Sequence, residues 1–356
     1  LFKMSEFLLL NDIKQIVENL SDVSNQFSGK TVLLTGGRGF LGRYFMEIFN
    51  LLNEKVLKDK VKVIVLDNLI TAGKEGAEIP IYKDIEFINH NVIEKFTLDK
   101  PIDFIIHAAG IASPYYYRAY PLETLEVAIK GTQNMLELAE LNSAKLTFFS
   151  SSEIYGDPDP KNIPTKESYR GNLSCTGPRA CYDESKRVGE TLCNIYHNLK
   201  GIHTNTIRPF NVFGPGMQEN DYRVLPNFTS RIKGNIPLQI YGNGNQTRTF
   251  CYITDAMEGF IRVILNGVPG EAYNIGNPEP ELSVIELIEK IELILGKKVE
   301  RDKVDYPDSY PADEPNRRCP DIKKAKIQIK YKPKIDINEG LRRYIQWSDR
   351  IYTGKQ

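Results

Sequence analysis

The chain has 356 residues, 41% hydrophobic and 26% charged, with 46 Lys+Arg balancing 46 Asp+Glu. That length can bury a large core in one or two domains, and zero net charge gives no electrostatic footprint for nucleic acid or a membrane surface. No apolar run approaches the ~20 residues a membrane helix needs, and the histidines are scattered, so neither a membrane partner nor a metal centre is expected.

Met4 reads as the natural start, and Phe7-Leu-Leu-Leu10 is too short for a signal-peptide core. Leu9, Ile13, Ile16, Val17 and Leu20 recur at helical spacing, which predicts a helical extension over 1–28 that packs on the body or on a second copy. From residue 31 apolar strands alternate with helices. Strands are predicted at 31–35, 61–66, 104–109, 145–150 and 204–208, with a helix at Asn134, Met135, Leu138 and Ala139 before the fourth and one at Tyr182 and Lys186 before the fifth. This alternation predicts an α/β fold: a Rossmann-type, doubly wound parallel sheet covered on both faces, over 29–210 with some later segments interleaved. After Phe213 the texture changes to Gly214-Pro-Gly216, Gly242-Asn-Gly244 and Gly276-Asn-Pro278, loop signals of a smaller C-terminal α/β lid over 211–350. Within it Ser283-Val-Ile-Glu286 is a capping box opening a helix that ends near Gly296. The five cysteines (175, 181, 193, 251, 319) lack paired spacing and read as reduced thiols of a cytosolic protein.

Two motifs carry chemistry. Gly36, Gly39 and Gly42 lie between the first strand and its helix, followed there by Phe40 and Leu41, where glycines let backbone and helix N-terminus approach a pyrophosphate. Asp67, with Asn68 beside it, ends the second strand and suits adenosine ribose hydroxyls. This favours NAD, while Arg38 in the loop leaves a 2′-phosphate, and so NADP, open. The second motif is Tyr182 four residues before Lys186, one helical turn apart on one face. A free tyrosine titrates near pH ~10, so a tyrosine base at neutral pH needs a neighbouring cation. Ser151-Ser152-Glu153 lies about thirty residues upstream.

These residues resemble the extended short-chain dehydrogenase/reductases acting on nucleotide sugars, and within them the UDP-glucuronate decarboxylases (UDP-xylose synthases). The resemblance rests on the glycine turn, Ser151-Ser-Glu-Ile-Tyr-Gly-Asp157, Gly177-Pro-Arg-Ala-Cys-Tyr-Asp-Glu184, Phe210-Asn-Val-Phe-Gly-Pro215, Asn245-Gln-Thr-Arg-Thr-Phe250, Tyr273-Asn-Ile-Gly-Asn-Pro278 and Pro320-Asp-Ile-Lys-Lys-Ala325. It spans residues 30–347 and leaves the N-terminal helix unmatched. It implies a UDP-sugar substrate, a homodimer, and transient oxidation of the sugar at C4. Tyr182 would take the 4-hydroxyl proton with help from Lys186, which also holds the nicotinamide ribose. Ser151 would bond the reacting oxygen, Glu153 would work near C5, and Arg318 would face the carboxylate. Asn91, Val92, Ala108 and Ala109 would line the cofactor. Asn211, Arg223 and Arg248 would take the diphosphate, and Tyr241 would pack on the base.

The resemblance also implies a choice between chemistries. Related 4,6-dehydratases carry an acidic residue where this chain has Ser152, and losing that acid disfavours departure of hydroxide while suiting departure of CO2. Three positions depart from the decarboxylase pattern: Gly110-Ile-Ala-Ser-Pro-Tyr-Tyr-Tyr117 beside the sugar, Cys319 for lysine, and Asn91 for aspartate. Dehydration or epimerisation of another nucleotide sugar stays open, as does a module that binds nucleotide sugar without turning it over.

Overall fold

The computed structural model describes residues 7–73, 82–305 and 315–354. The first six strands are β1 (Thr31–Thr35), β2 (Lys62–Asp67), β3 (Ile85–Asn89), β4 (Phe104–His107), β5 (Lys145–Phe149) and β6 (Thr204–Pro209). Beyond them come β7 (Val212–Phe213), β8 (Leu238–Tyr241), β9 (Thr247–Thr249), β10 (Cys251–Tyr252), β11 (Ala272–Ile275), β12 (Glu281–Ser283), β13 (Arg301–Val304) and β14 (Arg317–Arg318). Seven strands form one sheet in the order β11-β6-β5-β4-β1-β2-β3, with every pairing parallel. Helices cover both faces, so β1 and β2 read as unbroken apolar runs, and Val32, Leu33 and Leu34 are wholly buried. β1 pairs with β2 on one side and β4 on the other, and this switch of direction opens a crevice at the strands' C-terminal ends.

Two strands of this sheet escape the sequence reading. β3 is an edge strand whose Glu86 and Phe87 are exposed, so it lacks the apolar run that marked the others. β11 returns to the large sheet from within the glycine-rich second half, beside β6. The predicted cap is present: the Ser283 hydroxyl accepts from Glu286 N–H, the Glu286 carboxylate accepts from Ser283 N–H, and the helix Val284–Leu295 stops at left-handed Gly296.

The N-terminal helix, Leu10–Asn19, lays Ile13, Ile16 and Val17 on the body of the chain. Its buried Asp12 accepts from Arg343 at 2.8 Å and Tyr252 Oη at 2.5 Å, and Asp22 receives Arg262 at 3.0 Å. Burial pushes the Asp12 carboxyl up, against the pull of Tyr252 and Arg343. Among the described residues no helix is long and apolar enough to cross a membrane, and no cluster of His, Cys, Asp and Glu could hold a metal.

Candidate active site

A cavity of about 590 Å³ opens at the switch point, between the large sheet and the small sheets of the second half. Every site residue named from the sequence lines it: Gly36, Gly39, Phe40, Leu41, Gly42, Asp67, Asn68, Asn91, Val92, Ala108 and Ala109 at one end, Ser151, Ser152, Glu153, Tyr182, Lys186 and Arg318 in the middle, and Asn211, Arg223, Tyr241 and Arg248 toward the second half.

The glycine turn is shaped by contact. Gly36 has φ +71°, and a Cβ there would lie 2.8 Å from the Ala109 backbone. A Cβ on Gly42 would lie 2.3 Å from the Gly36 carbonyl oxygen, so the helix can start this close to the turn only with glycine. Gly39 is the N-cap of the helix Phe40–Lys55 and no side chain caps it, which leaves the first-turn amides turned toward the cavity end. Asp67 accepts the Arg38 and Leu69 N–H groups, each at 2.8 Å, and lines the cavity with its remaining lone pairs. Burial raises its carboxyl above the ordinary range. Arg38 stacks its guanidinium on Phe87, 4.1 Å from the ring centroid, and is not among the lining residues. A cradle with no room for side chains, open amides and an acidic residue at the strand end fit a dinucleotide without a 2′-phosphate. Behind the cradle Thr35 Oγ1 receives Ala109 N–H at 3.0 Å and bonds His107 Nδ1 at 2.8 Å, tying β1 to β4. Burial, and secondarily Lys186, push His107 down to about 3, so it is neutral.

Tyr182 and Lys186 begin the helix Ala180–Lys200 on its inner face, both buried. The Tyr182 ring stacks on Tyr117, with centroids 5.2 Å apart and planes within 11°. Ser151 lies beside its phenol, and Ser151 Oγ accepts Glu153 N–H at 3.2 Å. Burial pushes the phenol up to about 12, opposed by the neighbouring Ser151 hydroxyl and helped by the Glu153 and Asp183 charges. Burial pushes the Lys186 ammonium down to about 8, and Nζ donates to the Phe149 carbonyl at 2.9 Å.

Beside this pair lies a ladder of alternating charge that spacing alone did not reveal. Glu153 receives Arg318 on both oxygens, at 2.6 Å on Oε2, and Arg179 on Oε2 as well. Arg179 Nε lies 3.5 Å from Asp183, one helical turn on. Burial pushes the Asp183 carboxyl up to about 7, where Arg179 pulls it down and Glu153 pushes it up. Arg179 and Asp183 flank Tyr182 in the string that carried the resemblance, and their i, i+4 spacing was the signal that could have found them.

The residues assigned to the diphosphate have protein partners here. Arg223 forks onto Asp221 at 2.9 and 2.5 Å, Asn211 Nδ2 donates to the Thr249 carbonyl at 2.8 Å, and Arg248 donates to the Thr247 and Pro315 carbonyls at 2.8 and 2.5 Å. All three still face the cavity, and the pairing of β9 with β14 brings Arg248 beside Arg318.

The NAD dependent epimerase/dehydratase family profile matches residues 32–276. Over 319 residues the chain is 38% identical to UDP-glucuronic acid decarboxylase 1 of Xenopus tropicalis, covering 89% of this chain and 72% of that protein. Among solved structures it resembles the epimerase Mth375 of Methanothermobacter thermautotrophicus, at 28% identity and a TM-score of 0.77, covering 95% of this chain and 96% of the other. It also resembles the dTDP-glucose 4,6-dehydratase DesIV of Streptomyces venezuelae with NAD bound, at 25% identity and a TM-score of 0.76, over 90% and 97% of the two chains.

Proposed function

The chain belongs to the NAD dependent epimerase/dehydratase family, and on that premise we propose that it is an NAD-dependent nucleotide-sugar decarboxylase converting UDP-glucuronate to UDP-xylose. The observation that carries decarboxylation over dehydration is the pairing, next to Tyr182, of a guanidinium fork at Glu153 with a serine at 152. The fork suits an acidic sugar, and Ser152, 2% exposed and on the cavity wall, is no acid for a departing hydroxide.

Gly36, Gly39, Gly42 and the first-turn amides hold the cofactor's pyrophosphate, Asp67 its adenosine ribose and Lys186 its nicotinamide ribose. When bound, NAD accepts hydrogen from sugar C4 and later returns it. Tyr182 Oη takes the proton of the 4-hydroxyl once its phenol is drawn down from its high cofactor-free value by Lys186 and the nicotinamide charge, and Ser151 Oγ lies beside it to bond the reacting oxygen. With C4 a ketone, the C5 carboxylate is β to a carbonyl and leaves as CO2, its bonding electrons passing to the enolate. Arg318 faces the carboxylate and Glu153 orients a water near C5; C5 takes its proton from that water, and Tyr182 gives its proton back to the 4-oxygen as C4 is reduced again. Burial of Tyr182 and Lys186 keeps bulk water from the ketone.

Arg223, Arg248 and Asn211 contact the UDP diphosphate after exchanging some of their present partners for phosphate oxygens, and Tyr241 packs on the base. A second copy of the chain covers the exposed Leu122, Ile129, Ile195 and Leu199 on the helices before β5 and β6, and a monomeric mass by light scattering would refute that part. Incubation with a panel of nucleotide sugars tests the activity. Loss of CO2 from UDP-glucuronate supports it, while loss of water from a neutral sugar, or binding without change, refutes it.

A further inference from the structure

Two guanidiniums from distant parts of the chain converge on one carboxylate at the edge of the cavity. Arg179 precedes the Tyr182 helix and Arg318 lies in β14, and their side chains are 7% and 6% exposed. Both line the cavity with Tyr182 and Glu153, whereas Asp183 does not line it and sits behind Arg179. The cavity side of the ladder therefore has two positive charges against one negative, at the end where the Tyr182 phenol sits. Buried charge is costly unless an opposite charge meets it. Planar forks meet a carboxylate well, as Glu153 shows by occupying them. Donor capacity is left over, since the buried Arg318 Nε finds no acceptor among the described residues.

We propose that Arg179 is a second reader of the sugar acid, closing with Arg318 a two-guanidinium clamp for a carboxylate, and that Asp183 is a positioning residue holding Arg179 from behind. This rests on the reading of the substrate as a uronate. The clamp makes the site prefer an acidic over a neutral sugar of the same nucleotide. Asp183 faces Arg179 and, at longer range, Glu153 and Arg318, with Tyr182 and Cys181 adjoining it.

The test is equilibrium binding of UDP-glucuronate and UDP-glucose to NAD-loaded Tyr182→Phe protein, chosen to be silent in turnover, with and without Arg179→Gln. Arg179→Gln should weaken UDP-glucuronate about tenfold or more, as for a lost charged hydrogen bond, and leave UDP-glucose within about threefold. An unchanged preference for the acid overturns the clamp. A Tyr182→Phe parent with no preference for the acid overturns the uronate reading, and the clamp with it. Should Arg179→Gln fail to fold, Asp183→Asn decides: it should weaken UDP-glucuronate and leave UDP-glucose within about threefold, with the preference for the acid reduced, and a preference equal to the parent's overturns the positioning role.

Discussion

The Lys186 ammonium lies 5.8 Å from the centroid of the Tyr182 ring, yet its hydrogen bond runs to the Phe149 carbonyl and not to the phenol. The lysine thus has no direct bond to the phenol, and its buried position costs it proton affinity.

Lys186→Met should lower kcat by roughly 10²–10⁴-fold, the range for a disabled acid–base group. The same substitution should stabilise the cofactor-free protein near neutral pH. The unfolded lysine titrates near its ordinary 10.5 and the native one near 8, so between these values the unfolded chain binds more protons and wild-type stability rises with pH. The advantage of Lys186→Met, about 3 kcal/mol at neutral pH by this linkage, should therefore shrink as pH climbs through that window, and denaturant titrations at several pH values check it. An advantage that does not change with pH contradicts the buried charge.

Ser152→Asp places a carboxyl where an acid would serve a departing hydroxide. It should bring measurable loss of water from a 6-hydroxyl nucleotide sugar and slow decarboxylation, because the new charge lies next to Glu153. Product masses check both, and the absence of any dehydrated product would leave the acid argument unsupported.

Gly42→Ala pushes a methyl group to 2.3 Å from the Gly36 carbonyl oxygen. The turn must open, and NAD retention after gel filtration should be lost while far-UV circular dichroism stays native. Full retention would show that the helix start does not hold the pyrophosphate.

Asp12→Ala strips Arg343 and Tyr252 of a buried acceptor. Arg343 keeps Glu339, so the cost should fall near the low end for a broken buried pair, about 3 kcal/mol in denaturant unfolding. Activity below the unfolding transition should change little, since Asp12 does not line the cavity.

The large sheet was legible because its central strands are buried on both faces and so carry apolar runs. β3 was not, since Glu86 and Phe87 on this edge strand face solvent, and β11 was hidden among loop signals in the second half. The glycine turn and Tyr182 with Lys186 could be read because their chemistry depends on short spacings. The stack of Tyr117 on Tyr182 and the convergence of Arg179 and Arg318 on Glu153 join residues far apart in sequence, so no local pattern announces them. Arg223, Arg248 and Asn211 were found by type and place, but their present protein partners could not be read from spacing.

The central claim is that one sugar carbon is oxidised and restored within a single turnover while CO2 departs. UDP-glucuronate carrying deuterium at C4 tests it most directly. The account predicts a UDP-pentose lighter by one CO2 that keeps its C4 deuterium, and no such product from Tyr182→Phe. Deuterium washed out of C4, or a product that retains the carboxylate, would contradict it.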